Sequence, residues 1–450
     1  MKRFFRESKP LTYFQMIALG YLMVIVIGTM LLLLPAASRN HISVGFVPAL
    51  FTATSATCVT GLVVFDTYTH WTLFGQIVII TLIQIGGLGF MTIITMFSLF
   101  LKRKIGLKER GLLRESINSM YIGGVVRLTK KILLGTLLIE GLGTLLLSIR
   151  FIPRMGMLNG LYNGIFHSIS AFCNAGFDIM GRYGEYSSIT TFSDDAVVCL
   201  TISALIVIGG IGFIVWDDIL VNGFHIKKYQ LHSKIVLSTT LILIVLGSIC
   251  FYLFERSNLL AEMTVGEKIL ASVFGAITPR TAGFNSVNME AITPAGKLLT
   301  MLLMFIGGSP GSTAGGIKTT TLAVIAISLW SSLRNSKHDN IFRRRLGDDV
   351  LRKASTVITL NSVFILVAAF LICSTNVSLP LSDVMFEVVS AMATVGLATL
   401  TTSDLNAFAL IILSVLMYSG RVGSITFALL FTRQGNPPAV QNPIEKINIG

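Results

Sequence analysis

The sequence predicts an all-α integral membrane protein with four helix–pore-loop–helix repeats around one central pore, eight transmembrane helices and four re-entrant half-helices. Three observations carry this. The 450-residue chain is 53% hydrophobic and 13% charged, with a mean hydropathy of +0.77. That is more apolar surface than a soluble core of this length buries. Eight apolar stretches, near 12–36, 71–101, 129–151, 192–216, 231–254, 295–330, 354–374 and 405–432, are long enough at about 20 residues to cross a hydrocarbon layer of about 30 Å. A short frame also recurs four times: SATCVTGL ending at Gly61-Leu62, SAFCNAGF at Gly176-Phe177, ITPRTAGF at Gly283-Phe284 and SAMATVGL at Gly396-Leu397. The glycines are 115, 107 and 113 residues apart, which marks an internal repeat. The repeats are expected over 1–102, 103–217, 218–333 (with a broken second helix) and 334–432, with 433–450 as a cytoplasmic tail.

Taken in order, the first stretch ends LLLLPAAS, which resembles a signal-cleavage site. Its apolar part runs for about 20 residues against the roughly 7–15 of a signal sequence, so it is read as a retained helix. Lys and Arg set the orientation. The N-terminal segment, the 102–131, 225–234 and 334–353 loops and the C-terminal tail hold 25 of the 35 basic residues, and the opposite side holds 8. Both termini are therefore expected in the cytoplasm of a multi-pass plasma-membrane protein. The net charge of +13 is then a topology signal and an attraction to the anionic lipid bilayer, with no nucleic-acid partner. The five cysteines form no CxxC pair, so neither a disulfide framework nor a cysteine metal site is indicated.

Between each odd-numbered stretch and its successor lies an apolar segment of about 10–14 residues, near 46–57, 161–172, 267–278 and 383–392. At 1.5 Å per residue each reaches about 15–20 Å, half the bilayer, and must return to the side it entered. Non-helical backbone at that depth persists only where it lines a polar cavity or is buried in protein. Four strips follow these segments: Val59-Thr60-Gly61, Asn174-Ala175-Gly176, Thr281-Ala282-Gly283 and Thr394-Val395-Gly396. Arranged about one axis, they can stack rings of carbonyl oxygens that replace a cation's hydration shell. Half-helix C-termini aimed at the same place add negative charge and favour cations.

The fourth strip, TVGL, is similar to the TVGYG filter of potassium channels, and the fourfold plan resembles the Trk/Ktr/HKT superfamily of cation transporters over residues 12–432. With eight stretches and no additional N-terminal helix pair, the chain most resembles the bacterial KtrB subunit. In that superfamily Gly at all four filter positions goes with potassium selectivity, and Ser in the first loop goes with sodium-preferring plant members. Gly61, Gly176, Gly283 and Gly396 thus imply K+ as the transported ion at the filter, with no covalent cofactor and Na+ left open as a second ion. Three strips depart from TVG and none carries the second Gly of TVGYG, so fewer well-formed ion sites are expected than in a tetrameric channel. The resemblance also implies a homodimer on a cytoplasmic, KtrA-like ring of nucleotide-binding RCK subunits. The 102–131 and 334–353 loops are too short to form such a regulatory domain themselves.

The sixth stretch contains IGGSPGSTAGGIKTTT. A continuous helix over 295–330 would be about 54 Å long, too long for the bilayer, and five Gly and one Pro would cost it roughly 8 kcal/mol. The helix is expected to break there. That puts Gly307, Gly308, Ser309, Pro310, Gly311, Ser312, Thr313, Ala314, Gly315 and Gly316 in a flexible loop below the strips, which the resemblance implies is an intramembrane gating loop. The corresponding IGGLGF (85–90), IGGIGF (208–213) and YSGRVGS (418–424) are read as close helix contacts. Lys318 and Arg421 are basic residues inside spans, functional by default. Arg421 is expected to face the pore beneath the strips and bond the 307–316 loop. Lys318, nearer the cytoplasmic end, is equally open to snorkelling. GSTAGGIKT resembles a phosphate-binding loop, but Ile317 separates the Gly from the Lys and the context is a membrane helix, so nucleotide binding is not expected.

A proton- or sodium-coupled symporter is the main alternative. Proton coupling needs intramembrane carboxylates or histidines; the chain offers Glu140 as one deep candidate, while His167 and Glu387 lie in half-helices, where packing or filter support is expected. An enzyme is not indicated, because no HExxH, GxSxG or clustered Asp/Cys/His set occurs.

Overall fold

The computed structural model describes residues 12–101, 105–117, 123–336, 338–399, 402–431 and 445. Apart from Glu445, the 433–450 tail lies outside them. The fold is helical throughout, with a single short hairpin, Asn340–Ile341 against Arg344–Arg345, among the described residues.

One unit recurs four times. A long outer helix comes first: Tyr13–Leu32, Val125–Met155, Leu231–Glu255 and Asp348–Thr375. A half-helix follows, Phe46–Thr57, Met157–Cys173, Val265–Ile277 and Leu381–Ala393, and ends on the glycine strip. The second half-helix starts four residues before its expected boundary because Gly156, at φ +83°, ends the outer helix and starts the half-helix with no linker between. The inner helix of each unit then opens on a side-chain cap. Thr72, Asp195, Thr293 and Asn406 accept first-turn N–H groups that would otherwise lack partners.

The core sits around the half-helices. Phe51, Phe166, Phe274 and Phe386, one from each, are at most 1% exposed. The outer helices are the reverse: only 28–39% of the residues in their apolar windows are buried within the molecule. What they leave outside is apolar, including Leu22, Met23, Leu137, Leu241, Leu366 and Phe370. A continuous apolar exterior of this kind suits a lipid solvent.

All four inner helices are interrupted, not the third alone. Leu73–Leu88 and Phe90–Met96 meet at 96°, Ala196–Gly210 and Phe213–Asn222 at 95°. The third stops at Phe305 and resumes at Thr319, and the fourth runs Ala407–Val422 and Ser424–Phe431. The glycine clusters therefore do more than permit close contact. Gly89, Gly212 and Gly423 have φ of +82°, +95° and +98°, outside the right-handed helical region. The close contact is present as well. A Cβ added at Gly86, Gly209 or Gly420 would lie 2.0, 2.0 or 2.1 Å from the carbonyl oxygen of Thr57, Phe172 or Met392, each near the end of its own half-helix.

This geometry sets an expectation for stability. A Gly209→Val variant should lose about 1–3 kcal/mol through forced overpacking and melt several degrees lower in detergent. Gly141→Val, at a site with nothing within 4 Å of an added Cβ, should melt close to the parent. Equal melting of the two would contradict the packing described.

Candidate functional site

The four strips meet and close into a ring. A Cβ added at Gly61 would lie 2.4 Å from Ala175 O, at Gly176 2.6 Å from Ala282 O, at Gly283 2.3 Å from Val395 O, and at Gly396 2.2 Å from Thr60 O. Each glycine thus faces the residue before the glycine of the next repeat, and the fourth faces the first. A side chain at any of them would collide with backbone.

Within each strip the backbone alternates. Val59, Asn174, Thr281 and Thr394 have φ of +58°, +59°, +71° and +52°, and the glycines two residues later have +94°, +67°, +79° and +94°. Left-handed conformations at alternate residues turn successive carbonyls toward one side, which an extended strand does not do. Among the described residues no backbone N–H donates to any carbonyl of the four strips. The hydroxyls of Thr60, Thr281 and Thr394 are also buried without a partner. Burying such groups unpaired is costly; an oxygen-rich cage of this kind suits a dehydrated hard cation. The half-helices end at Cys58, Asn174, Thr278 and Thr394, so their partial negative charge falls on the same place.

Hydroxyls hold the strips in two ways. In repeats one and four, Gly61 N and Gly396 N donate to Ser55 Oγ and Ser390 Oγ, both at 3.1 Å. In repeats two and three, Ser170 Oγ and Thr278 Oγ1 donate to Phe177 O and Phe284 O at 2.6 and 2.7 Å.

On one side the ring opens into a cavity of about 480 Å³, lined by all four glycines together with Asp66, Asp178, Glu185 and Glu290 and by no Lys or Arg. Sequence reasoning missed these acids. They follow the strips at irregular intervals, and Asp66 reads locally as a cap, accepting from Tyr68 N and Thr69 N at 2.9 and 2.7 Å. The available signal was the scarcity of basic residues on that side.

The other side is filled by the segment 306–318. It is bonded to the second repeat, with Ser309 N donating to Gly210 O at 2.9 Å and Phe213 N to Gly311 O at 2.8 Å. It presses against the partnerless threonines: a Cβ at Gly315 would lie 1.9 Å from Thr394 Oγ1, and one at Gly307 3.1 Å from Thr281 Cγ2. Arg421 occupies the position that Gly87 and Gly210 hold in the first two repeats. It donates to Thr313 O of this segment, to Gly86 O, and to Gly87 O at 3.1 Å. One side chain thus ties the fourth repeat to the 306–318 segment and to the first repeat. Lys318 turns inward instead of snorkelling and donates to Ala314 O and Gly315 O at 2.8 and 3.1 Å.

The remaining candidates are not part of the four strips. Glu140 accepts two hydrogen bonds from Gln84 Nε2, at 3.1 and 3.2 Å, between the second and first repeats. His167 is buried among Phe151, Phe166 and Phe284, with Nδ1 2.8 Å from Asn163 O. Glu387 is buried in the fourth half-helix. A residue not singled out from the sequence, Arg280, is buried beside the third strip; its place in a short segment between apolar stretches had made it look like an external-side charge.

Comparison with known proteins agrees with this architecture. The family model described as TrkH, cation transport protein, matches residues 7–437. The potassium/sodium uptake protein NtpJ of Enterococcus hirae is 40% identical, covering 99% of each chain. The Ktr system potassium uptake protein B of Bacillus subtilis is 41% identical over 94% of each, and that of Vibrio alginolyticus 36% over 97% of this chain and 94% of the relative. The crystal structure of the potassium transporter TrkH from Vibrio parahaemolyticus superposes with a TM-score of 0.75 at 17% identity, covering 95% of this chain and 86% of that one. With the family model spanning nearly the whole chain and relatives this similar along their full length, the protein belongs to the TrkH family of cation transport proteins.

Proposed function

We propose that the chain is the ion-translocating membrane subunit of a potassium uptake system, carrying K+ inward through a selectivity filter formed by the four glycine strips. The observation that carries this reading is the closed ring, in which each glycine abuts the neighbouring strip and partnerless carbonyls and hydroxyls gather where four half-helices end. Oxygen cages of this type exchange protein ligands for an ion's hydration shell, and the acidic cavity on the outer side concentrates cations before they enter. A membrane potential, negative inside, supplies about 2.3 kcal/mol per 100 mV for each inward charge. The names of the similar proteins, which read potassium or potassium/sodium uptake, support the ion assignment and keep Na+ as a second ion.

The 306–318 segment acts as the gate and Arg421 as its latch. What supports this is the close packing of the segment against Thr281 and Thr394, and the hydrogen bonds from Arg421 to the first repeat and the segment at once. The guanidinium also adds a positive charge on the ion's route. The word system in the names of the Ktr relatives supports further subunits, and the reading extends to a homodimer in the cell membrane, termini cytoplasmic, on a nucleotide-binding ring. Proton coupling through Glu140 is disfavoured because both oxygens of that carboxyl are engaged by Gln84.

Rubidium tracer flux into liposomes holding the purified protein, with K+ and Na+ as competitors and no proton gradient, tests the filter. The parent's uptake should be blocked by K+ and hardly by Na+. Gly61→Ser puts a side chain at φ +94°, with its Cβ 2.4 Å from Ala175 O, and should cut discrimination against Na+ on the order of tenfold. Unchanged selectivity would sink the filter assignment. Arg421→Ala removes charge-assisted bonds worth about 1.5–3 kcal/mol each and should raise basal flux roughly tenfold or more, as should deletion of 309–314. If neither variant changes basal flux, the gate lies elsewhere.

A further inference from the structure

Beside the ring, the third repeat carries a buried charge at a position where the others carry none. Three residues before the ring glycine, repeats one, two and four carry Cys58, Cys173 and Ala393, whereas repeat three carries Arg280. Arg280 is 6% exposed. Its Nη2 donates to Thr240 Oγ1 at 3.4 Å, Nε is buried without a partner, and no carboxylate pairs with the guanidinium among the described residues. Thr240 belongs to the outer helix Leu231–Glu255, so the charge points away from the ring axis and lies behind the third strip.

Backbone geometry fixes it there. The half-helix Val265–Ile277 ends just before Pro279, and Arg280 N donates to Ile277 O at 3.1 Å. The cation therefore sits at a helix C-terminus, whose partial negative charge stabilises it. It spends on itself the negative charge that the other three half-helices direct at the ring. A guanidinium does not lose its proton in a protein, so the effect is permanent. A second cation held at Thr281–Gly283 faces a fixed positive charge carried by the adjoining residue, and in a partly buried setting that repulsion is worth on the order of tenfold in the ion's binding constant.

We propose that Arg280 is an affinity-setting residue: a fixed cation behind the filter wall that weakens K+ binding in the ring and speeds release to the inner side. Conduction needs a site favourable enough to enter and weak enough to leave, and a closed cage of partnerless oxygens with no opposing charge would err toward holding the ion. The inference rests on the filter reading given above.

The test is the concentration dependence of rubidium uptake in liposomes, for the parent and three variants. Arg280→Gln should lower the half-saturating rubidium concentration on the order of tenfold and reduce the maximal rate. Arg280→Lys, which keeps the charge, should stay near the parent. Thr240→Glu keeps Arg280 but sets a carboxylate against it, and should shift half-saturation in the same direction as Arg280→Gln. A purely structural role would not give a tighter site from a carboxylate placed at Thr240. An unmoved half-saturation in Thr240→Glu overturns the proposal, and so does an Arg280→Lys protein that behaves like Arg280→Gln. Should Arg280→Gln fail to fold, Thr240→Glu alone decides. Na+ competition in the same assay separates the two readings. A parent that does not discriminate K+ from Na+ undoes the filter, whereas discrimination with unmoved half-saturation undoes only the role of Arg280.

Discussion

A backbone carbonyl left without a partner at the level of the hydrocarbon costs several kcal/mol, and each interruption of helix in this molecule is arranged around that cost. Four half-helices stop partway and expose their C-terminal carbonyls. The strips that follow present more carbonyls, to which no backbone N–H donates. The fold answers by bringing all four strips together, so that oxygens shunned by lipid surround a single space. Glycine is what permits it, since a methyl group at any of the four positions would sit 2.2–2.6 Å from a neighbouring carbonyl oxygen.

The same constraint reaches outward. The inner helices approach their half-helices through Gly86, Gly209 and Gly420, then break at Gly89, Gly212 and Gly423. Carbonyls freed by the breaks are met by side chains that can satisfy them without water. Arg421 takes those of Gly86, Gly87 and Thr313, and Lys318 takes those of Ala314 and Gly315. These two cations are thus bound to oxygen dipoles instead of carboxylates. One chain carrying four repeats can place such a cation in a single repeat, a freedom that a ring of identical subunits lacks.

Much of this was legible in the sequence because it depends on period and residue type. The 107–115-residue spacing of the glycine frames gives the fourfold plan, and half-length apolar segments give the re-entrant helices. Gly and Pro density gives the break in the third repeat. The breaks at Gly89, Gly212 and Gly423 were harder to read, since a glycine pair in an apolar helix looks the same whether it serves packing or a bend; only the positive φ distinguishes them. The acidic cavity was not legible, because Asp66, Asp178, Glu185 and Glu290 converge through loops of unequal length. Arg280 was hidden for a different reason: counting charges per loop treats every loop residue as wet, and this one is buried beside the third strip.

The ring joins residues from opposite ends of the chain. Gly396 abuts Thr60, Arg421 bonds a carbonyl 335 residues earlier, and Tyr418 Oη donates to Ala18 O at 2.7 Å across 400 residues. Contacts of such separation are slow to form, and domains emerge in order during synthesis. The ring therefore cannot close until the fourth repeat has been made. The site is thus the last part of the molecule that synthesis can complete, and its oxygens are enclosed only once both ends of the chain are in place.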